Sequence, residues 1–116
     1  LKQALYLRAK HSNMGLLSML FGGGKKSAQI KELLASGAMI VDVRTPGEFK
    51  GGHAKGAVNI PVQRIGSQVT KLSKQEQTII LCCRSGARAA GVAAQLQKEG
   101  ISCINAGPWQ KVAGLQ

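Results

Sequence analysis

The sequence contains few aromatic residues and few acidic residues. Phe, Trp and Tyr together make up 3% of its 116 residues, so a core has to be built from aliphatic side chains, and the aromatic platforms that stack on single-stranded nucleic acid are scarce. The apolar run 16–21 is far shorter than the roughly 20 residues that a membrane-spanning helix needs. We therefore expect no nucleic-acid partner and no transmembrane segment.

Cysteine is also scarce. The chain has three, and two of them, Cys82 and Cys83, are adjacent, which does not correspond to the disulfide framework of a small secreted domain. No C-x-x-C or paired-histidine spacing is present, and His11 and His53 lie far apart in the sequence, so these residues do not fit a zinc site. The cysteine content indicates a reactive thiol, and we expect no metal and no cofactor.

Positive charge, in contrast, is abundant. The chain has 16 Lys and Arg against 5 Asp and Glu, for a formal charge of +11. Such a charge favours anionic partners, and a solvated basic surface without a binding role is the open alternative. Residues 1–26 contain five basic residues and no acid, which leaves +6 for residues 27–116. Charge without a recognition motif does not predict nucleic-acid binding.

Length and composition divide the chain into two parts. A chain of 116 residues has room for one domain, and the three glycines 22–24, followed by two lysines, place the domain boundary after Lys26. Residues 27–116 are expected to form the domain, and residues 1–26 a leader, a tag or a flexible appendage. We expect a cytoplasmic monomer, or an exported protein if residues 1–26 are a signal-like leader.

Predicted helices and strands alternate through residues 27–116. Strands that are apolar throughout and alternate with helices predict an α/β domain with a small central parallel sheet and helices on both faces. In such sheets ligands bind beyond the carboxyl ends of the strands. The predicted elements are a helix over 27–36 capped by Ser27, a strand over 38–43, a turn over 44–47, a strand over 57–60, a helix over 63–72, a strand over 78–82, a helix over 87–98 and a strand over 101–104.

The turn after the strand 78–82 places Cys83 between a buried strand and the start of a helix. A loop curled around Cys83 can point several backbone N–H groups inward, and the helix adds unsatisfied donors and the positive end of its dipole. Arg84 and Arg88 make the surroundings more positive, so the thiol pKa is expected to fall from about 8.5 into the range of roughly 3.5–7.5. Gly86 supplies the backbone freedom that a tight loop needs. The pattern predicts a nucleophilic thiolate at neutral pH.

The residues of this loop, Cys83-Arg-Ser-Gly86-Ala-Arg88, resemble the Cys-x-x-Gly-x-Arg active-site loop of the rhodanese homology domain family. Upstream, the stretch 42–61 is similar to the family's Asp-Val-Arg, Glu-Phe, Gly-His-Ile, Gly-Ala and Asn-Ile-Pro motifs in the same order, with Ala54 in place of the usual Ile. The stretch 105–109 resembles the family's Gly-Gly-x-x-x-Trp ending imperfectly. The resemblance covers residues 27–116 and leaves residues 1–26 unexplained.

The resemblance implies a rhodanese-like three-layer sandwich and a single-domain sulfurtransferase. Thiosulfate or a related small anionic donor would give its outer sulfur to Cys83, and the resulting persulfide would pass it to cyanide, a thiol or a sulfur-carrier acceptor. For Arg88 a bracing role in the loop, and for Arg84 a solvated side chain, are open alternatives to donor binding. The implied roles are catalytic for Cys83; substrate-binding for Arg84, Ser85, Gly86, Ala87 and Arg88; and structural support for Asp42, Arg44 and Glu48. In this polar set the acid holds a loop and the pair forms an ion bridge.

Three further cysteine and histidine side chains are expected to be structural. Cys82 ends its strand and should point away from the loop because successive strand side chains alternate between faces. Cys103 is expected to pack in the core, and His53 to be a loop histidine with satisfied hydrogen bonds.

Two other functions stay open. A cysteine phosphatase or an arsenate reductase of related fold is suggested by the five residues between Cys82 and Arg88, which match a Cys-x5-Arg loop. That loop generally has glycine three residues after its cysteine, whereas Gly86 stands four residues after Cys82 and three after Cys83. The other alternative is a non-catalytic binding or regulatory module that uses its basic surface. An intact Cys83 argues against that alternative.

Overall fold

The computed structural model describes residues 24–116, which contain four strands, five α-helices and one 3-10 helix. The prediction for residues 1–23 lies outside the described residues. In chain order the elements are α1 Gly24–Ala35, β1 Ile40–Asp42, α2 Pro46–Lys50, β2 Val58–Asn59, the 3-10 helix Val62–Gln68, α3 Val69–Ser73, β3 Ile79–Cys83, α4 Ala87–Lys98, β4 Cys103–Pro108 and α5 Trp109–Leu115.

The strands form one parallel sheet in the order β2-β1-β3-β4. Two neighbouring strands, β1 and β3, occupy its centre, and their residues are buried throughout. Because all four strands are parallel, their carboxyl ends lie at the same edge, where β3 ends at Cys83 and β4 at Pro108. The predicted α/β class is confirmed.

Aliphatic side chains cover both faces of the sheet. Along β3, Ile79, Leu81 and Cys83 belong to one buried cluster, which also contains Val92 and Leu96 of α4. Ile80 and Cys82 belong to the other cluster, on the opposite face, which includes residues of α1 and α5. The adjacent cysteines therefore face opposite layers, as the alternation of strand side chains predicts.

Helix α4 has the predicted bounds, but several other predicted elements are wrong in extent. Helix α1 begins at Gly24, so Ser27 lies inside it and does not cap it. The predicted helix 63–72 is a 3-10 helix followed by the short α3. Strand β4 starts two residues later than predicted and continues to Pro108 because it pairs with β3 as far as Cys83.

Two helices form where the sequence predicts a turn or no element. The predicted turn 44–47 leads directly into α2, which is held by a capping box: the Glu48 N–H donates to Thr45 Oγ1, and the Thr45 N–H donates to Glu48 Oε1. Helix α5 follows Pro108 and buries Val112. No helix within residues 24–116 is long and apolar enough to cross a membrane.

Candidate active site

The loop between β3 and α4 wraps around the Cys83 thiol. The Gly86 N–H donates to Cys83 Sγ at 2.9 Å. Gly86 has φ +101° in the left-handed region, and a Cβ added there would lie 3.1 Å from Gly107 Cα. Only glycine combines that backbone conformation with so close a neighbour. The structure therefore gives a specific reason for glycine three residues after Cys83.

The surroundings of Cys83 favour its thiolate. The residue is 0% exposed, and this burial alone would raise the thiol pKa. Four backbone N–H groups of the loop and of the first turn of α4 oppose this effect because they stabilise the thiolate. Together they hold the pKa of Cys83 below its usual value. They belong to Ala89, Gly86, Ser85 and Arg88. The N–H groups of these four residues surround the thiol and are called the thiol cradle below.

Cys82 has the opposite electrostatic environment. Burial, reinforced by the nearby Asp42 carboxylate, raises its thiol pKa to about 12. Its side chain packs in the cluster on the other face of the sheet. Of the two adjacent thiols, only Cys83 has surroundings that lower its pKa and favour the thiolate.

Arg88 is paired with Glu48 across 40 residues of sequence. Its Nη1 donates to Glu48 Oε1 at 2.7 Å and its Nη2 to Glu48 Oε2 at 3.0 Å. This two-point ion pair ties the first turn of α4 to α2. The bracing role of Arg88 thus has an observed partner, while donor binding by Arg88 stays a prediction.

Asp42 and Arg44 form a second ion pair, buried beneath the site. Arg44 Nη2 lies 2.7 Å from Asp42 Oδ2, and both side chains are at most 5% exposed. Arg44 also donates to the Gly52 carbonyl at 2.7 Å and lies over the Trp109 ring at 5.0 Å from its centroid. These contacts join β1 to the segment after α2 and to α5. Arg44 makes its ion pair with Asp42 and not with Glu48, whose carboxylate is held by Arg88.

The remaining predicted loop residues lie at the surface. Arg84, Ser85 and Ala87 are exposed, and Ser85 Oγ accepts a long hydrogen bond from the Ala87 N–H at 3.5 Å. Ser85 contributes its own N–H to the thiol cradle. Contacts of these residues with substrate stay predictions.

The other two residues expected to be structural have local partners. Cys103 is partly buried against the core, and its Sγ donates to the Ala93 carbonyl at 3.7 Å. His53 stacks on Phe49 with ring centroids 3.7 Å apart, and its Nδ1 lies 2.8 Å from the Phe49 carbonyl oxygen. Since a carbonyl only accepts, Nδ1 carries a proton.

Asn105 supports the active-site loop and was not predicted as a site residue. Its Nδ2 donates to the Gly86 carbonyl at 2.9 Å, and its Oδ1 accepts from the Gly107 N–H at 2.9 Å. One side-chain amide therefore holds the loop and the end of β4 together. The only signal in the sequence is an asparagine near a glycine after a predicted strand, which is common in turns. Within residues 24–116, no three His, Cys, Asp or Glu side chains are grouped to hold a metal.

The Glu48–Arg88 pair predicts a specific acid sensitivity. The pair lowers the pKa of Glu48 from 4.5 to about 2, chiefly through the hydrogen bond from Arg88. Because the folded-state pKa is the lower one, ionised Glu48 stabilises the fold above pH 4.5, and this contribution is lost as the pH falls towards 2. In Glu48→Gln the contribution is absent at every pH, so the loss of stability between these pH values should be less steep.

Urea unfolding at several pH values measures this slope. Glu76→Gln is the matched control, because Glu76 is exposed and makes no ion pair within the described residues. A Glu48→Gln slope identical to that of wild type would show that the pair does not persist in solution.

Comparison with known proteins gives the family. Residues 26–112 match the sequence model of a protein family, which is described as the rhodanese-like domain. Thiosulfate sulfurtransferase 16, chloroplastic, of Arabidopsis thaliana is 35% identical, over 63% of this chain and 70% of that protein. Uncharacterized protein YqhL of Bacillus subtilis is 35% identical, over 58% of this chain and 52% of that protein.

A solved structure agrees with the family match. The rhodanese-like domain protein from Staphylococcus aureus superposes with a TM-score of 0.64 at 28% identity, over 76% of this chain and 87% of that one. The curated relatives are longer than the matched region, and this chain spans about half of YqhL. With the family model matching most of the chain, the thiol loop at its predicted place and the parallel sheet beneath it, this chain belongs to the rhodanese-like domain family.

Proposed function

We propose that this protein is a sulfurtransferase that takes sulfane sulfur from thiosulfate or a related donor and carries it as a persulfide on Cys83. The observation that carries the proposal is the Cys83 thiol enclosed by main-chain N–H donors, with Gly86 N at 2.9 Å from Sγ. A thiolate stabilised in this way is a nucleophile that needs neither a metal nor an adjacent base. The relative named thiosulfate sulfurtransferase 16 supports the same chemistry.

The proposed reaction has two displacements. In the first, Cys83 Sγ attacks the outer sulfur of thiosulfate, the bond between the two sulfur atoms of thiosulfate breaks, and sulfite leaves with the bonding electron pair. In the second, cyanide or a thiolate attacks the outer sulfur of the Cys83 persulfide, and the electron pair of the broken bond returns to Cys83. Thiocyanate or a new persulfide is released, and the cradle again holds a thiolate.

The loop also controls how the donor reaches Cys83. Cys83 has 0% exposed surface in this structure, so the donor reaches Sγ only when the loop opens slightly. Arg84, which is exposed beside Cys83 and makes no ion pair within residues 24–116, is available to attract an anionic donor there. Electrostatic attraction of this kind weakens as salt is added.

The position of Cys82 argues against the phosphatase and arsenate reductase alternatives. A Cys-x5-Arg loop would need Cys82 as its nucleophile, but its thiol packs in the opposite cluster and its pKa is raised to about 12. Arg88, the other end of that motif, is engaged by Glu48. A non-catalytic module has no observation in its favour, since the thiol and its donors are complete.

Intact mass spectrometry after incubation with thiosulfate tests the proposal. We expect a mass increase of one sulfur atom that is located on Cys83 by peptide mapping and is removed by cyanide with formation of thiocyanate. Sulfur on Cys82 or Cys103, or no sulfur on Cys83 with either thiosulfate or a low-molecular-weight persulfide as donor, would refute the proposal.

A further inference from the structure

A cavity of about 310 Å³ lies on one side of the active-site loop. Ser85 and Gly86 form its wall towards the loop, and residues 105–108 at the end of β4 form another wall. Lys26 of α1 and Lys111 of α5 complete the lining. Cys83, Arg84 and Arg88 do not line it, so this cavity is distinct from the thiol cradle, although it shares the backbone of Gly86 with the cradle.

The charged side chains that line this cavity are of one sign, and no described carboxylate neutralises them. Lys26 and Lys111 are exposed, and neither makes an ion pair within residues 24–116. No acidic residue in the described part of the chain lines the cavity, and Asp42 and Glu48 are each engaged by an arginine. The cavity therefore presents uncompensated positive charge to a partner.

Helix stability does not explain the two lysines. Each lies in the first turn of its helix, where a basic residue is unfavourable, and neither first turn contains an acid. Among residues 24–116, their side chains have no hydrogen-bond or ion-pair partner that would stabilise the fold. A role in binding accounts for two exposed lysines converging on one cavity beside a reactive thiol.

We propose that the cavity, with Lys26 and Lys111, binds an acidic segment of a partner protein whose cysteine accepts the sulfur from Cys83; this proposal rests on the proposed sulfurtransferase function. In the transfer, the partner's thiolate attacks the outer sulfur of the Cys83 persulfide and the sulfur–sulfur bond breaks. The electron pair returns to Cys83, and the partner's cysteine becomes the persulfide.

A protein fits these features better than the other anions that could occupy the cavity. A small donor such as thiosulfate needs only the loop, and the lysines lie on helices beyond it. Nucleic acid is disfavoured because aromatic residues are few, and Trp109, at the start of α5, is engaged by Arg44. An acidic protein segment supplies both carboxylates for the lysines and a thiol for the chemistry.

The test compares two twelve-residue peptides, each with one central cysteine, flanked by Asp and Glu in one peptide and by Asn and Gln in the other. The full chain is loaded with sulfur from thiosulfate and freed of excess donor, and the rate of peptide persulfide formation is followed by mass spectrometry. We expect wild type to transfer sulfur to the acidic peptide roughly three to ten times faster, since two exposed charge pairs contribute modestly.

The matched variants are Lys26→Gln with Lys111→Gln, and Lys74→Gln with Lys98→Gln. The second pair removes the same charge from exposed positions at the other end of the sheet. Lys74 precedes β3, and Lys98 lies at the end of α4. We expect the first double variant to lose the preference for the acidic peptide and to keep its rate with cyanide. The second should keep both.

Equal rates for the two peptides, or equal losses in the two double variants, would overturn the proposal. A different combination would also overturn it: a twelve-nucleotide single strand binds through Lys26 and Lys111, and replacing these two lysines leaves transfer to the acidic peptide unchanged. Binding of the acidic peptide with serine in place of cysteine, measured by fluorescence anisotropy, needs no sulfur. If wild type binds this peptide more tightly than the Lys26→Gln, Lys111→Gln variant does, but Cys83 cannot be loaded with sulfur, the sulfurtransferase function alone is refuted.

Discussion

Replacing Cys83 with serine is expected to abolish thiosulfate:cyanide transfer, with thiocyanate formation falling to background. A hydroxyl cannot hold the sulfur, and its pKa is far above that of the thiol, so neither displacement can proceed. The fold should survive because serine is close in size to cysteine and can accept the hydrogen bond from the Gly86 N–H. Thiocyanate production and thermal unfolding measure the two effects separately.

Cys82→Ala and Cys103→Ser are the matched controls and should keep most of the turnover. Cys82 lies in the opposite layer of the core, where alanine avoids burying a hydroxyl. Cys103 donates to the Ala93 carbonyl, which serine can also do. If Cys82→Ala were the inactive variant, the assignment of the nucleophile would be wrong.

Replacing Gly86 with alanine is expected to lower transfer by roughly a hundredfold or more, similar to the removal of one main-chain or side-chain donor from an oxyanion site. The added Cβ would lie 3.1 Å from Gly107 Cα and would disfavour the φ of +101°. To relieve both, the loop has to move, and the N–H that points at Cys83 Sγ moves with it. The thiol pKa should rise, which the rate of iodoacetamide alkylation against pH reports.

Gly100→Ala separates this effect from general backbone strain. Gly100 also has a positive φ, of +74°, but a Cβ there would meet nothing within 4 Å. Both variants should lose about 1–2 kcal/mol of stability from the left-handed conformation, while only Gly86→Ala should lose activity. Comparable activity losses in both would mean that the cradle geometry is not what limits transfer.

The prediction of the fold was most accurate where one pattern decides the structure. Helix α4 has its predicted bounds because the left-handed Gly86 precedes it and apolar residues recur at helical spacing on its buried face. Helix α5 was not predicted, since its seven residues include one fully buried side chain, Val112, and no side chain caps its start. Its position depends on contacts with the rest of the domain, which a local pattern does not contain.

In the candidate site, too, local patterns predicted some residues, whereas contacts between distant segments determined the others. The location of Cys83 and the need for Gly86 follow from the strand, turn and helix pattern together with the family resemblance. The pairing of Arg88 with Glu48 and the role of Asn105 depend on segments 40 and 19 residues apart in the chain. Because such pairs depend on how the sheet brings distant segments together, spacing in the sequence could not predict them.

The complete burial of Cys83 has a consequence for how the protein withstands oxidants. While the loop is closed, a thiolate with no exposed surface is shielded from oxidants, although its ionised form would otherwise make it susceptible to sulfenic acid formation. Once loaded, the outer sulfur lies about 2 Å further along the chain of atoms. Because the second displacement takes place at this outer sulfur, Cys83 Sγ itself has to be reached only while the donor loads it.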